Sequence, residues 1–379
     1  MKKLLLTLLL CAAAVFGFAS AASALEIDAD AAVLMDAVSG RVLYQSNAHE
    51  KLAPASTTKV FTALLVLENV DDLDATVTLP DDFQNVGESG INMEPGDTYS
   101  IKDLLYALLL QSANDSAQAL AIAVSGSEEA FMELMNKRSV ELGLEDSHWA
   151  NPHGLDDDAH YTSAHDLAVV TREALNYPIF NEIIVTPSYT LALSNSAYDT
   201  REIYNHNQFL DLYEGADGVK TGYTTNAGNC PVASATREGM RLIGVVLDAP
   251  EQSHYVQMEA LMDYGFANYK PKLIASAGDV VGRVKIAHGV VGKANLVLGQ
   301  DVIIAEPNNS DFEVGRGKLS VPSPIEAPCD NTDPVGTITY TDDMNDVIEV
   351  PVFLDKSVAR FTYKDAVRSV WQSLMNALF

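Results

Sequence analysis

Cysteine is nearly absent from this 379-residue chain: Cys11, Cys230 and Cys329 are the only three. They follow no metal-like spacing, so a cysteine-held zinc site has no support. Positive charge is short as well. Lys and Arg number 24 against 52 Asp and Glu, a formal net charge of −28. An excess of that size repels phosphate backbones and anionic surfaces, so nucleic acid is not an expected partner. Neither Gly-x-Gly-x-x-Gly nor a Walker-type loop occurs, which removes the usual signatures of nucleotide binding. Long apolar runs are missing except near the start.

There, Lys2 and Lys3 precede an apolar stretch from Leu4 to Phe18, followed by Ala22-Ser23-Ala24. The stretch is shorter than the ~20 residues of a spanning helix and has a small-residue site behind it. Residues 1–24 therefore read as a cleaved secretory signal. Export is the expectation, to the outer face of the cytoplasmic membrane, the cell wall or the periplasm. Cys11 lies inside the apolar run behind a leucine, which argues against lipidation. Cys230 and Cys329 then remain, and either a disulfide or two separate thiols is open.

The remaining length suits two domains. Over residues 25–270 the chain mixes strands ("AAVLMDAVSGRVLYQ") with helices rich in alanine and leucine ("IKDLLYALLLQSANDSAQALAIAVSG"). Residues 271–358 carry short apolar–polar alternations such as "VVGRVKIA", "GTITYTD" and "DVIEVPVFL", punctuated by Gly, Pro and Asn-Asp clusters, the pattern of a small β domain. "AVLMDAVSGRVLY" reads as a hairpin with a Ser-Gly turn, and "NCPVASATREGMRLIGVVLD" repeats the arrangement around Arg237-Glu238-Gly239. Strands at both ends of the first domain with helices between them predict one antiparallel sheet packed with helices, an α+β fold.

"APASTTKVFTALLVL" (53–67) sets Pro54, a hydroxyl run and Lys59 before a strongly apolar segment. Residues three apart share a helix face, so Ser56 and Lys59 are within mutual reach. One reading is a helix start: Pro54, a hydroxyl cap, and Lys59 pointing to water. The other is a nucleophilic serine with a lysine as its base. The pair alone does not decide, since about one Ser-x-x-Lys is expected by chance at ordinary composition. Two further stretches do. Ser112-Ala113-Asn114 follows the apolar helix ending "YALLLQ", and Lys220-Thr221-Gly222 stands at what reads as the entry to a strand. Lys-Thr-Gly alone arises in about one chain in twenty. All three in this order, each at the boundary of an apolar element, form the motif set of penicillin-binding proteins and class A β-lactamases.

Over nearly the whole chain after residue 24, the sequence resembles the low-molecular-weight penicillin-binding proteins that act as serine-type D-Ala-D-Ala carboxypeptidases (peptidase family S11). "PASTTK", "SANDSA", "NPHGLDDDAHYTSAHDLA" and "GADGVKTGYTTNAGNCPVASA" carry the resemblance. It implies a β-lactamase/transpeptidase-like catalytic domain followed by a small all-β domain and a C-terminal amphipathic helix. The implied substrates are peptidoglycan stem peptides, with β-lactam antibiotics as covalent inhibitors and no cofactor. The catalytic residues carried over are Ser56, Lys59 and Ser112. Asn114, Lys220, Thr221, Gly222 and Tyr223 are the implied substrate-binding set. In that scheme Ser112 relays protons, Asn114 bonds the substrate backbone, and Lys220 and Thr221 receive the terminal carboxylate. The N–H groups of Ser56 and Tyr223 form the oxyanion hole. Family members often add an arginine for the carboxylate. Here the loosely corresponding residues are His206 and His254, which also read as ordinary surface histidines.

The chemistry accounts for the residue types. A serine must lose its proton as it attacks a carbonyl, and no histidine stands beside Ser56. A lysine can take that proton if it is neutral, which at pH 7 costs about 4–5 kcal/mol from an ordinary pKa near 10.4. Burial and a second ammonium nearby, such as Lys220, both reduce the cost. A β-lactamase is the nearest enzymatic alternative, but no Glu-x-x-Leu-Asn segment lies between Ser112 and Lys220 to activate a deacylating water. DD-endopeptidase cleavage uses the same acyl-enzyme. A wall-binding scaffold would not need the intact motifs.

His148, His153, His160 and His165 crowd one stretch with three aspartates, but their spacing matches no zinc motif, so no metal is expected. The tail, residues 361–379 within a terminal segment 359–379, places Val367, Val370, Trp371, Leu374, Met375 and Leu378 on one helical face, with Phe379 at its margin. Lys356, Arg360, Lys364 and Arg368 make this end locally basic. It is too short and too polar to span a bilayer but suits peripheral contact with one. A helix docked on the protein's own core is the other reading.

Overall fold

The computed structural model describes residues 25–192, 200–309, 313–342 and 347–378. The expected signal segment 1–24 and Phe379 lie outside these. Short apolar runs, buried on both faces rather than alternating, and two turns build the first hairpin and the last of the main sheet. Strand β1 (Ala31–Asp36) pairs antiparallel with β2 (Val42–Ser46), as its sequence suggests. Two short pairs follow later in the chain, β3 (Thr76–Thr78) with β4 (Thr98–Ser100) and β5 (Ser188–Ala192) with β6 (Thr200–Tyr204). Strands β7 (Ala216–Thr224), β8 (Gly228–Arg237) and β9 (Met240–Leu247) complete a five-stranded antiparallel sheet in the order β2-β1-β9-β8-β7. The β8–β9 turn centres on Glu238 and Gly239, both at positive φ, as a tight two-residue hairpin requires.

Helices surround this sheet, some packed on it and others on one another. They are α1 (Lys59–Asn69), α2 (Ile101–Leu110), α3 (Asn114–Ser125), α4 (Glu128–Glu141), α5 (Ala164–Ala174), α6 (Pro178–Val185), the single turn α7 (Phe209–Leu212) and α8 (His254–Asn268). Helix α1 is the centre of the core, with every residue from Lys59 to Val66 buried. A helix apolar on all sides belongs inside, and each of its large side chains contributes roughly 1.5–3 kcal/mol of burial. Ser100, Ser127 and Ser163 cap α2, α4 and α5 by accepting from the N–H three residues on. Ser56 does not cap α1: the preceding turn Ala55–Thr58 is a 3-10 helix without a side-chain cap bond.

After α8 the chain enters a second set of strands: β10 (Tyr269–Ala275), β11 (Val280–Ala287), β12 (Lys293–Leu298), β13 (Val302–Pro307), β14 (Lys318–Ser320), β15 (Ile325–Glu326), β16 (Gly336–Thr341) and β17 (Val347–Leu354). Six of them form one sheet, β14-β16-β17-β12-β11-β15, while β10 pairs with β13. Their inward residues make an apolar cluster of their own, including Leu296, Ile338, Ile348 and Val352. The fold is α+β, as the motif resemblance implied. The β1–β2 turn joins the two parts. The fully buried Asp36 carboxylate accepts from Ser39 Oγ and from the Ala305 N–H of β13, and Arg41 pairs with Asp342. Burial raises the Asp36 pKa despite those bonds.

The chain ends in helix α9 (Tyr363–Leu378). Its Val367, Val370 and Trp371 are 52, 61 and 66% exposed, so this face is not docked on the core. Among the described residues no helix is long and apolar enough to cross a membrane. Cys230 and Cys329 are both free thiols.

Candidate active site

Three elements deliver the motif residues to one place. The 3-10 turn and α1 bring Ser56 and Lys59, the α2–α3 junction brings Ser112 and Asn114, and β7 brings Lys220 to Tyr223. Strand β7 starts at Ala216, so Lys220 sits inside the strand rather than at its entry. The glycines at 215 and 218 hide that start from the sequence pattern. Ser112 stands at φ +59, in the sharp break between α2 and α3. Being the sheet's edge, β7 leaves one side of its backbone free beside the nucleophile. Gly222 allows the approach: a Cβ there would lie 2.9 Å from the Ser56 nitrogen and 3.0 Å from the Pro54 oxygen.

Lys59 is wholly buried, and its Nζ makes three short contacts. They run to Ser56 Oγ at 2.9 Å, Asn114 Oδ1 at 2.8 Å and the His153 carbonyl at 2.6 Å. Asn114 donates its Nδ2 to the Gly87 carbonyl, which fixes Oδ1 toward the lysine. A neutral amine has two N–H groups and one lone pair. Asn114 Oδ1 and the His153 carbonyl can only accept, so they take both N–H groups and leave the lone pair facing the Ser56 hydroxyl. The energetics favour that neutral form. Burial first, then the charge of Lys220, pushes the Lys59 pKa well below its ordinary value, while Asp115 and Glu88 pull weakly the other way.

Lys220 is 2% exposed, and burial lowers its pKa to about 7. Its Nζ donates to the Thr221 carbonyl at 2.8 Å. One bond leaves an ammonium with two donors to offer a ligand. Ser56, Ser112, Lys220, Thr221, Gly222 and Tyr223 line one pocket of about 390 Å³. His206 and His254 line it too, His206 from an exposed position and His254 half-buried. Burial and Lys220 lower the His206 pKa. Asn114 floors the site instead of lining it, its amide already committed to Lys59 and Gly87.

Residues the motifs do not name complete the site. The pocket also takes in Glu88 and Ser89. Their loop is pinned by the buried Asp115, which accepts from the Ile91 and Met93 N–H groups and from Asn85 Nδ2. The sequence signal was available, an aspartate directly after the Ser-x-Asn motif, but nothing in it says which loop it holds. The histidine-rich stretch runs beside the site with its two inner rings buried. His153 and His160 are 5% and 3% exposed, and burial lowers their pKa values to about 3 and about 4. His148 Nδ1 meets the Ala159 carbonyl, and His165 contacts Asp166. Among the described residues no three His, Cys, Asp or Glu side chains are grouped to hold a metal ion.

The arrangement can run acyl transfer through a serine. Comparison with known proteins agrees. Residues 18–251 match the family model of D-alanyl-D-alanine carboxypeptidases, and residues 269–360 match that of the penicillin-binding protein 5 C-terminal domain. The carboxypeptidase DacF of Bacillus subtilis is 33% identical over 336 residues, 87% of this chain and 86% of that protein. Among solved structures, penicillin-binding protein 5 of Haemophilus influenzae is 28% identical with a TM-score of 0.65, covering 89% of this chain and 99% of its own. The Streptomyces K15 DD-transpeptidase is 30% identical with a TM-score of 0.61, covering 65% of this chain and 99% of its own.

Proposed function

Because this chain belongs to the D-alanyl-D-alanine carboxypeptidase family and is a serine DD-carboxypeptidase, we propose that it trims the terminal D-alanine from peptidoglycan stem peptides through an acyl-enzyme on Ser56. The observation that carries this is the Lys59 amine, buried and 2.9 Å from Ser56 Oγ with its other two contacts both to acceptors. Lys59 takes the Ser56 proton as Oγ bonds to the carbonyl carbon of the penultimate D-alanine. The resulting oxyanion sits between the N–H groups of Ser56 and Tyr223. The amide C–N bond breaks, the proton passes by way of Ser112 to the leaving amine, and free D-alanine departs. Water, deprotonated by the same Lys59, then cleaves the ester. Lys220 and Thr221 receive the substrate's terminal carboxylate in a pocket that His206 and His254 also line.

In this reading residues 25–270 form the catalytic unit and 271–358 a β domain that holds it off a surface. The protein is exported, its first 24 residues removed, to act in the wall. Helix α9 lies on the membrane through Val367, Val370, Trp371 and Met375, all of which are exposed. β-Lactams acylate Ser56 and leave slowly.

The test is to treat the protein with a fluorescent penicillin, find the labelled residue by mass spectrometry, and measure D-alanine release from an N-acylated peptide ending in D-Ala-D-Ala. One adduct on Ser56, lost in a folded Ser56→Ala variant, together with D-alanine release, is the expected outcome. A label elsewhere, or none, refutes the mechanism. Fast sustained penicillin hydrolysis moves the protein toward the β-lactamases.

A further inference from the structure

We infer that His160 is a positioning residue for the nucleophile: through Thr58 it holds the carbonyl of Ala55 and closes the loop that orients Lys59. The inference rests on the proposed role of Ser56 and Lys59. It starts from backbone geometry. Ala55, directly before the nucleophile and 1% exposed, is held at φ +49, a conformation that residues with a Cβ seldom keep without support. Its carbonyl accepts from Thr58 Oγ at 2.8 Å. Thr58 Oγ lies in turn 2.8 Å from His160 Nε2, and both side chains are buried.

The proton positions along this chain follow from its ends. The Ala150 N–H can only donate, and it points to His160 Nδ1 at 3.0 Å. Nδ1 therefore carries the lone pair, and a neutral ring carries its one hydrogen on Nε2. Nε2–H donates to Thr58 Oγ, and the threonine hydroxyl donates onward to Ala55. Burial favours the neutral ring. The Trp149 ring packs edge-on against the imidazole at 5.6 Å and is itself tied to Ser139 Oγ, so the ring cannot turn freely.

The same imidazole closes the base of a loop, because Ala150 and His160 bracket residues 151–159. One member of that loop touches the base and the next touches the turn that carries the nucleophile. The His153 carbonyl takes an N–H of Lys59 at 2.6 Å. Gly154 presses on the strained turn so tightly that a Cβ there would lie 1.9 Å from the Ala55 oxygen. One buried side chain thus sets the nucleophile's turn from one side and the base's acceptor from the other. A displacement of the order of 1 Å at such a pair costs about 100-fold in rate.

The experiment compares His160→Phe, Thr58→Val, the double variant and His160→Gln in the full chain. Thermal unfolding is recorded beside kcat and KM for D-alanine release from an N-acylated D-Ala-D-Ala peptide. The expected result for each disrupting single variant is a kcat ~30- to 100-fold lower with KM within ~2-fold of wild type. The double variant should be no worse than the weaker single, because both act through one chain of bonds. His160→Gln, which keeps a donor near Thr58, should recover most of kcat. Wild-type kcat in a folded His160→Phe or Thr58→Val overturns the inference, as do equal losses in kcat for Gln and Phe. If both disrupting variants fail to fold, the pair is architectural and the inference is equally overturned. A wild-type protein that releases no D-alanine instead refutes the functional reading beneath it.

Discussion

The floor of the active site and the terminal helix break the same rule in opposite directions. In the floor, amines and imidazoles are sealed from water: Lys59, Lys220, His153 and His160 are all at most 5% exposed. In α9, a tryptophan and two valines stand more than half exposed. Folding alone favours neither, since burying an ammonium and exposing a tryptophan both cost free energy. In the proposed function each departure serves something outside the chain, a substrate in one case and a membrane surface in the other. The penalties also differ in kind. A buried amine can shed its proton and so converts its cost into reactivity, whereas an exposed apolar face can recover its cost only by finding a partner.

The largest expected effect attacks the buried amine directly. Lys59→Arg keeps a cation but has no accessible neutral form. With the proposed base gone, acylation of Ser56 by a fluorescent penicillin should fall by ~1,000-fold or more, in the range general-base loss commonly brings. Stopped-flow or timed-quench labelling reads it. Labelling near the wild-type rate would mean that the Lys59–Ser56 contact is structural only.

The next effect comes from acid. His153 and His160 have folded pKa values of about 3 and about 4 against an unfolded value of 6.5. The lowered values mean that the fold prefers the neutral rings. Their contribution is complete above pH 6.5 and is lost as pH falls toward 4 and then 3. At pH 5 the two together remove about 4 kcal/mol, at 1.36 kcal/mol per unit for each ring. The charge of Asp157 opposes the shift of His160, whereas positive charge on Lys59, on His148 or on the other ring, where protonated, deepens the shifts. Urea midpoints measured from pH 7 to pH 4.5 should drop steeply, and the drop should be roughly halved in a folded His160→Gln variant. A flat profile would show that water reaches these rings.

Most of the site's cast was legible, and most of its geometry was not. The contact between Ser56 and Lys59 could be read from three-residue spacing, but only the Ser112-Ala113-Asn114 and Lys220-Thr221-Gly222 stretches favoured a base over a helix cap. The β1–β2 and β8–β9 hairpins could be read from short apolar runs separated by turn residues. What stayed hidden acts through backbone. The His153 carbonyl, the strain at Ala55 and the close approaches at Gly154 and Gly222 depend on atoms every residue shares. A glycine in sequence says that space or φ is special there, not which. The start of β7 was hidden for the same reason, since Gly215 and Gly218 interrupt the alternation that marks a strand. The family resemblance supplied roles, but it could not say that Asn114 is already spent on Lys59 and Gly87.

Lys220 sharpens the contrast by separating stability from function. Its pKa of about 7 against an ordinary 10.5 means that the fold pays for this amine below pH 10.5, and most fully below pH 7. Lys220→Met removes the buried amine at similar size. Thermal unfolding should shift upward, while kcat/KM for D-alanine release falls by ~100-fold, mainly through KM, as the carboxylate loses its cation. For the wild type, KM should rise as pH passes upward through 7 and the ammonium discharges. A variant that is less stable and has an unchanged KM would contradict both assignments.

The smallest effect belongs to the other side of the comparison. Val370→Asp with Trp371→Glu places two charges on the exposed face of α9 and touches no buried residue. Full burial of a tryptophan and a valine is worth a few kcal/mol, but an interfacial helix gains only part of it, and the acidic body of the protein opposes an anionic surface. Lys364 and Arg368, on the helix itself, supply the local attraction that offsets this repulsion within a Debye length. Binding of the wild type to vesicles containing anionic lipid should therefore be weak, weaken further with salt, and fall at least ~10-fold in the double variant, about 1.4 kcal/mol. D-alanine release from a soluble peptide should be unchanged, because α9 contributes nothing to the pocket. Equal flotation of wild type and variant would show that the exposed face of α9 is not a membrane face, and would leave the active site as the one region where the rule is broken for function.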